Sequence, residues 1–259
     1  MDIELDLQKS VEQNAAVYFD LGKKSKKKLE GARKALLESK RKLAQLQQEE
    51  TTFKEKESLK NTKKARKREW YEKFHWFISS EGFLCIGGKD ATTNELIIKK
   101  NMEKDDLVLH TDMAGSPFFL IKNGQKAGEI TREEAAQATA VHSRAWKLSH
   151  TTADVFYVLP EQVSKEAQSG EYISKGSFMI YGKKNYFYPL IEYAIGLVEG
   201  KIIAGPLSAV KAKTTNYIIV IPGRDSKGEL SKKIRAKLKG GELDDIITFL
   251  PAGGGEIKK

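Results

Sequence analysis

The chain has 259 residues, with 45 Lys and Arg against 35 Asp and Glu, and 40% of its residues are apolar. A formal charge of +10 favours a polyanionic partner such as RNA, DNA or an anionic membrane face and says nothing about fold. The single cysteine, Cys85, excludes an intrachain disulfide and a cysteine zinc cluster, and no apolar run reaches the about 18 residues of a membrane helix.

The start, Met1-Asp2-Ile3-Glu4, lacks the basic and apolar regions of a signal peptide, so a cytoplasmic setting without membrane contact is expected. Residues 1–75 carry 20 Lys and Arg against 13 Asp and Glu, most of the basic excess. From Leu7 to Phe53 there is no proline, glycine occurs only at Gly22 and Gly31, and strong helix formers dominate, which predicts one long helix. Leu29, Leu36 and Leu43, with Ala32, Ser39 and Leu46 three residues behind them, form a coiled-coil seam interrupted by Gly22, Ser25 and Ser39. So narrow a stripe needs a partner helix. The segment Lys54 to Phe77, folded back after a turn near Glu50 to Thr52, would supply it as an antiparallel hairpin, with one continuous helix as the alternative. Lys60, Lys63, Lys64, Arg66, Lys67 and Arg68 then crowd together, either as a solvated face or as an RNA contact. Trp70, Phe74 and Phe77 are spaced to share a helix face that docks onto a globular core over residues 76–259, with base stacking as the alternative.

In that second region Phe83 to Gly87 reads as a buried strand, and Asp90 as the cap of a short helix reaching Met102. Leu107 to Thr111 and Phe118 to Lys122 read as strands around the turn Ala114 to Pro117. Thr131 with Glu134 suggests a capping box for a helix to about Lys147. Further strands are expected at Val155 to Leu159, Phe178 to Tyr181, Tyr186 to Tyr188 and Tyr217 to Ile221. Tyr193 to Val198 and Lys201 to Ala204 form a tight hairpin through Glu199-Gly200. Helices at about Glu229 to Lys239 and Glu242 to Leu250 finish the chain. Strands and helices without a regular βαβ period predict an α+β fold, a mixed β-sheet with flanking helices behind the helical arm.

Catalytic motifs are mostly eliminated. Gly82 to Lys89 has the wrong spacing for a P-loop, and Asp90 stands where it requires Ser or Thr. His110 and Asp112 would share one face of a strand and could ligate a metal or act as an acid–base pair, or His110 could be a hydrogen-bonded turn histidine. His142 reads as structural or simply exposed, and Cys85 as a buried small residue. No enzyme activity, cofactor or metal is expected.

The segment SGEYISKGSFMIYGKKNYFYP, Ser169 to Pro189, sets cations beside stackable rings, a combination suited to nucleic acid. It closely resembles the NFACT family of ribosome-associated quality control, in its NFACT-R domain. WYEKFHWFISSEGFLCIGGKDATTNELIIKK (Trp70 to Lys100), HTDMAGSPFFLIKN (His110 to Asn123) and EQVSKEAQSGEYISKGSFMIYGKKN (Glu161 to Asn185) are similar to three ordered blocks of that domain. The preceding helix, with Asn14, Ala15 and Tyr18, is similar too. The long third block looks like archaeal and eukaryotic members. Three positions depart from the family pattern, Ala114 in place of histidine, Gln168 in place of proline and Tyr181 in place of arginine. The last loses a planar donor suited to phosphate. Family members begin with NFACT-N and helix-hairpin-helix regions for which there is no room here, which implies an excised C-terminal half or a short paralogue. The tRNA-selecting motif resides in NFACT-N, so peptide tailing is not assigned.

The resemblance implies a non-enzymatic RNA-binding module on rRNA or tRNA of obstructed large ribosomal subunits. Lys175, Lys183 and Lys184 would contact phosphates, with Lys89, His110, Lys122 and Arg144 as further candidates and Asn185 or Tyr186 at bases or ribose. A protein-interaction scaffold, using the seam for a partner or a second copy, and a DNA-binding arm are the alternatives.

Overall fold

The computed structural model describes residues 3–61, 69–165 and 174–258. Contacts divide the chain into two units, Met1–Lys67 and Arg68–Lys259.

The first unit is built on one helix, α1 (Val11–Asn61). Ser10 accepts from the Gln13 amide at 3.2 Å while Gln13 accepts from the Ser10 amide at 3.0 Å, a reciprocal cap that satisfies two donors at the helix start. Buried Asn14 gathers the preceding residues, accepting from the Asp6 amide and donating to the Asp6 and Ser10 carbonyls, and Tyr18 donates to the Glu4 carbonyl at 2.6 Å. The turn expected at Glu50 to Thr52 is absent, because helix runs through it. Those residues include neither glycine nor proline to stop it. The fold-back hairpin is therefore not formed at that point, and Leu29, Leu36, Leu43 and Leu46 lie exposed. At 1.5 Å per residue such a helix spans about 75 Å.

The second unit runs β1 (His75–Ile78), β2 (Leu84–Gly87), α2 (Ala91–Leu96) continued by a π-helical turn (Ile97–Asn101), β3 (Leu107–Thr111), β4 (Phe119–Ile121), α3 (Glu129–Val141), α4 (Arg144–Lys147) and β5 (Val155–Val158). There follow β6 (Val163–Ser164), β7 (Met179–Ile180), β8 (Asn185–Phe187), β9 (Tyr193–Val198), β10 (Lys201–Gly205), α5 (Leu207–Lys211), β11 (Tyr217–Asp225), α6 (Lys227–Leu238), α7 (Leu243–Phe249) and β12 (Gly255–Ile257). The strands form a six-stranded sheet in the order β1-β2-β4-β3-β5-β8, a four-stranded sheet β10-β9-β11-β12 and the pair β6-β7. The fold is α+β. Every strand pair among the described residues is antiparallel, where a mixed sheet was expected. Short links join β1 to β2, β3 to β4 and β9 to β10, a connection open to antiparallel pairs only.

Period-two alternation splits the six-stranded sheet into two cores. Cys85, Leu107, Leu109, Phe119 and Val155 face α3, the second sheet and Trp146, whose Nε1 donates to the Gly254 carbonyl at 2.8 Å. Ile86, Val108, Phe118, Leu120 and Phe156 face the other way, against Ile97 and Ile98 of the α2 segment. Each such fully buried side chain is worth about 1.5–3 kcal/mol. The hairpin between β9 and β10 turns at Glu199 and Gly200 with φ of 48° and 76°, the double left-handed turn that suits tight antiparallel pairs.

Two local readings change. Trp70 to Phe74 form turns that lead into β1 rather than a helix, and Phe74 and Phe77 are buried in opposite cores instead of sharing one face. Both do anchor the start of this unit. Thr131 and Glu134 do not cap α3, whose cap is Gly128. They lie within the helix, where Thr131 bonds Ser79 and Glu81 and Glu134 accepts from the Ser80 amide at 2.9 Å. The β1–β2 turn outcompetes the helix end for these side chains.

Candidate nucleic-acid interface

The face of the six-stranded sheet that carries Phe156 also carries the site. Pairing sets His110, Phe156 and Tyr186 side by side across β3, β5 and β8, with ring centroids 6.1 and 5.8 Å apart. Lys184 passes over the Phe156 ring at 4.2 Å and reaches Asp112 Oδ1 at 2.8 Å. Burial raises the Asp112 carboxyl, but hydrogen bonds from Lys184 and Tyr186 outweigh it and hold the group below the usual carboxylate range. The same bond to Asp112 raises both Lys184 and Tyr186. Lys184 is thus bound to the sheet, whereas Lys183 beside it is exposed. Tyr188 is 68% exposed and lies nearly parallel to Tyr186, with centroids 6.5 Å apart.

Beyond His110 the face opens into a groove of about 440 Å³ between Gly88–Ala91, the turn Ala114 to Phe118 and the strap Lys175 to Ile180. The strap is held by Lys165, which pairs with Glu95 at 2.7 Å and lies 4.8 Å over Phe178. Gly176 makes this closeness possible. At φ +80° it packs on α2 so tightly that an added Cβ would stand 2.6 Å from Ala91 Cα, which brings Lys175 to the rim. Lys89 occupies the opposite rim, and packing lowers its ammonium below the ordinary value even with Asp90 adjacent.

Lys89 is part of a wider basic cluster. Burial, then repulsion from Lys89 and Lys147, lowers Lys227, which donates to the Leu250 carbonyl at 2.7 Å. Under this cluster His75 and His142 stack at 3.8 Å, with Tyr193 edge-on to His142 at 5.3 Å. Burial first, then Lys89 and Lys227, pushes His75 down to about 3. Burial, His75 and the same lysines take His142 well below its usual value, so both rings are neutral at pH 7. His142 lines the groove, and its Nδ1 is buried without a hydrogen-bond partner.

Of the residues expected from sequence, Lys89, His110 and Lys175 come together around the groove, and Lys183, Lys184, Asn185 and Tyr186 form the adjoining row. Lys122 is elsewhere. Its Nζ pairs at 2.7 Å with Asp106, a fully buried carboxylate that also accepts from the Glu103 and Asn123 amides. Arg144 is exposed on α4 and outside the groove lining. Lys63, Lys64, Arg66, Lys67 and Arg68 lie outside the described residues, as do residues 169–173 of the aromatic segment. The acid–base pairing of His110 with Asp112 is not realised. The His110 Nδ1 donates to the Thr111 carbonyl at 2.6 Å, and Asp112 is taken by Lys184. Among the described residues no His, Cys, Asp or Glu group of three or more could hold a metal, and no helix is long and apolar enough to cross a membrane. Cys85 is buried, which pushes its thiol up. Sequence alone did not assign His142, Lys147 or Lys227 to the site, since only the fold brings them to Lys89.

Residues 73–182 match the family described as the NFACT protein RNA binding domain. The chain is 42% identical over 214 residues, 79% of its length, to the archaeal Rqc2 homolog aRqcH of Methanocaldococcus jannaschii. It is 40% identical to the ribosome quality control complex subunit NEMF homolog of Drosophila melanogaster over 75% of its length, and 40% identical to human NEMF over 68%. It spans 32%, 20% and 16% of those three proteins respectively.

Proposed function

The chain belongs to the NFACT family through its NFACT-R domain, and from that premise we propose that it is a non-enzymatic RNA-binding module that engages rRNA or tRNA on the large ribosomal subunit during ribosome quality control, in the cytoplasm. The observation that carries this reading is the convergence, within the matched residues 73–182, of Lys89 and Lys175 on one groove, with exposed Lys183 close by in the chain. Exposed ammonium groups suit phosphates as point charges, and the neighbouring rings suit bases. Lys184 has a different part, holding Asp112 and Tyr186 in place while Lys183 meets the backbone of the RNA.

Cosedimentation of the whole chain with purified large ribosomal subunits, followed by titration with rRNA and tRNA fragments, tests the proposal. Binding should weaken steeply with salt, with a log–log slope of about −0.7 to −0.9 for each phosphate neutralised. Lys183→Glu combined with Lys175→Glu should cut affinity at least tenfold. No association with subunits or with any RNA at low salt would refute it. Matched RNA and DNA competitors separate RNA from DNA binding through 2′-hydroxyl contacts.

A second reading rests on the exposed leucine stripe of α1, which a protein partner or a second copy would cover. Leu36→Ser with Leu43→Ser should abolish such association and leave RNA affinity unchanged.

A further inference from the structure

The groove has features that contact with phosphates alone does not use. Its volume, about 440 Å³, lies in the range of sites that enclose a small molecule. A base with its sugar and phosphate is of the size such a volume takes. One wall is aromatic. Phe118 is buried against the His110 ring at 4.3 Å, and Phe178 stands edge-on to it at 5.4 Å, so half-buried His110 and Phe178 offer ring surface. The rim is cationic. Asp90, the one carboxylate on the lining, is held ionised by the Thr93 amide at 2.8 Å as the cap of α2, and Lys89 and Lys175 outnumber it at the mouth.

The unpartnered His142 Nδ1 adds an observation of another kind. Buried polar atoms without partners are rare in native proteins and each calls for an explanation. A neutral imidazole nitrogen is either a donor or an acceptor, and the edge of every nucleobase offers both.

We infer that this groove receives a single nucleotide unit lifted out of its stack, with the phosphate between Lys89 and Lys175, the base against Phe178 and His110, and the His142 ring turning on binding to bring its buried Nδ1 to the base edge. The inference rests on the RNA-binding reading and specifies it. The nucleotide is an unpaired residue of an RNA or a free nucleoside monophosphate, and the test separates these sources.

The experiment uses the whole chain and two RNA hairpins of equal length, one fully paired and one with a single-nucleotide bulge, beside AMP, CMP, GMP, UMP and inorganic phosphate. Wild type should prefer the bulged hairpin by about tenfold, the size of one base–ring stack. Phe178→Ala and His142→Phe should each remove that preference while leaving paired-hairpin affinity within twofold. Phe178→Ala, at a half-buried position, keeps the test valid should His142→Phe fail to fold. Equal affinity of wild type for both hairpins, with no nucleotide bound, overturns the inference while RNA binding stands. Binding of nucleoside monophosphates but not phosphate, lost in Phe178→Ala, supports the groove and assigns it to the free nucleotide if neither hairpin binds. Failure of every probe overturns both readings.

Discussion

The two ends of one sheet face treat lysine in opposite ways. Where β3 begins and β4 ends, Lys122 lies against Asp106, and the carboxylate is fully buried with its remaining bonds filled by backbone amides. Where β3 ends and β4 begins, Lys89 and Lys175 stand over a groove whose one carboxylate, Asp90, caps α2 and forms a hydrogen bond with neither of them. The same strands build both ends. The lesson is that a lysine's use follows from the carboxylate the fold puts beside it, and that a basic composition alone does not distinguish a fastening from a contact.

The sharpest test removes the fastening. Lys122→Met strands the Asp106 charge, and stability measured by urea unfolding should drop by about 3–5 kcal/mol. Below its midpoint the variant should bind RNA like wild type. At the other end, Lys89→Glu with Lys175→Glu should lower RNA affinity by roughly 10- to 100-fold, about 1.4–2.7 kcal/mol, with stability unchanged within about 0.5 kcal/mol. A double variant that unfolds instead would erase the contrast between the ends.

Acid should act on the groove end through the stacked histidines. His75 titrates near 6.5 when unfolded and is held at about 3 in the fold, so between these values the unfolded chain binds the extra proton. Stability is therefore intact above pH 6.5 and falls as the pH is lowered, by about 1.4 kcal/mol per unit for such a group. Unfolding followed from pH 7 to 4 should show this slope, shallower in His75→Phe. The smallest effect is expected at Lys184, an ion pair whose two side chains are 32% and 46% exposed. Screened by solvent, Lys184→Met should cost up to about 1 kcal/mol and move RNA affinity less than Lys183→Glu does.

These contrasts were only partly legible in the residue order. The helix α1 followed from its composition, and the β9–β10 hairpin from Glu199-Gly200, because both are decided locally. Thr131 and Glu134 were misread since a partner 50 or more residues away captures them. Lys184 looked free because Asp112 stands 72 positions earlier in the chain. Lys89, His110 and Lys175 could be nominated singly, but the groove itself requires the fold. It depends on Gly176 against Ala91, and on His142 arriving from the end of α3.

The groove joins a charged rim to a neutral floor, and the two should act at different moments of an encounter. Exposed ammonium groups draw in a polyanion from a distance, so rim substitutions should slow association, and most at low ionic strength. The uncharged rings of His142, His110 and Phe178 act only at contact distance. Changes there should leave arrival untouched and shorten the residence time.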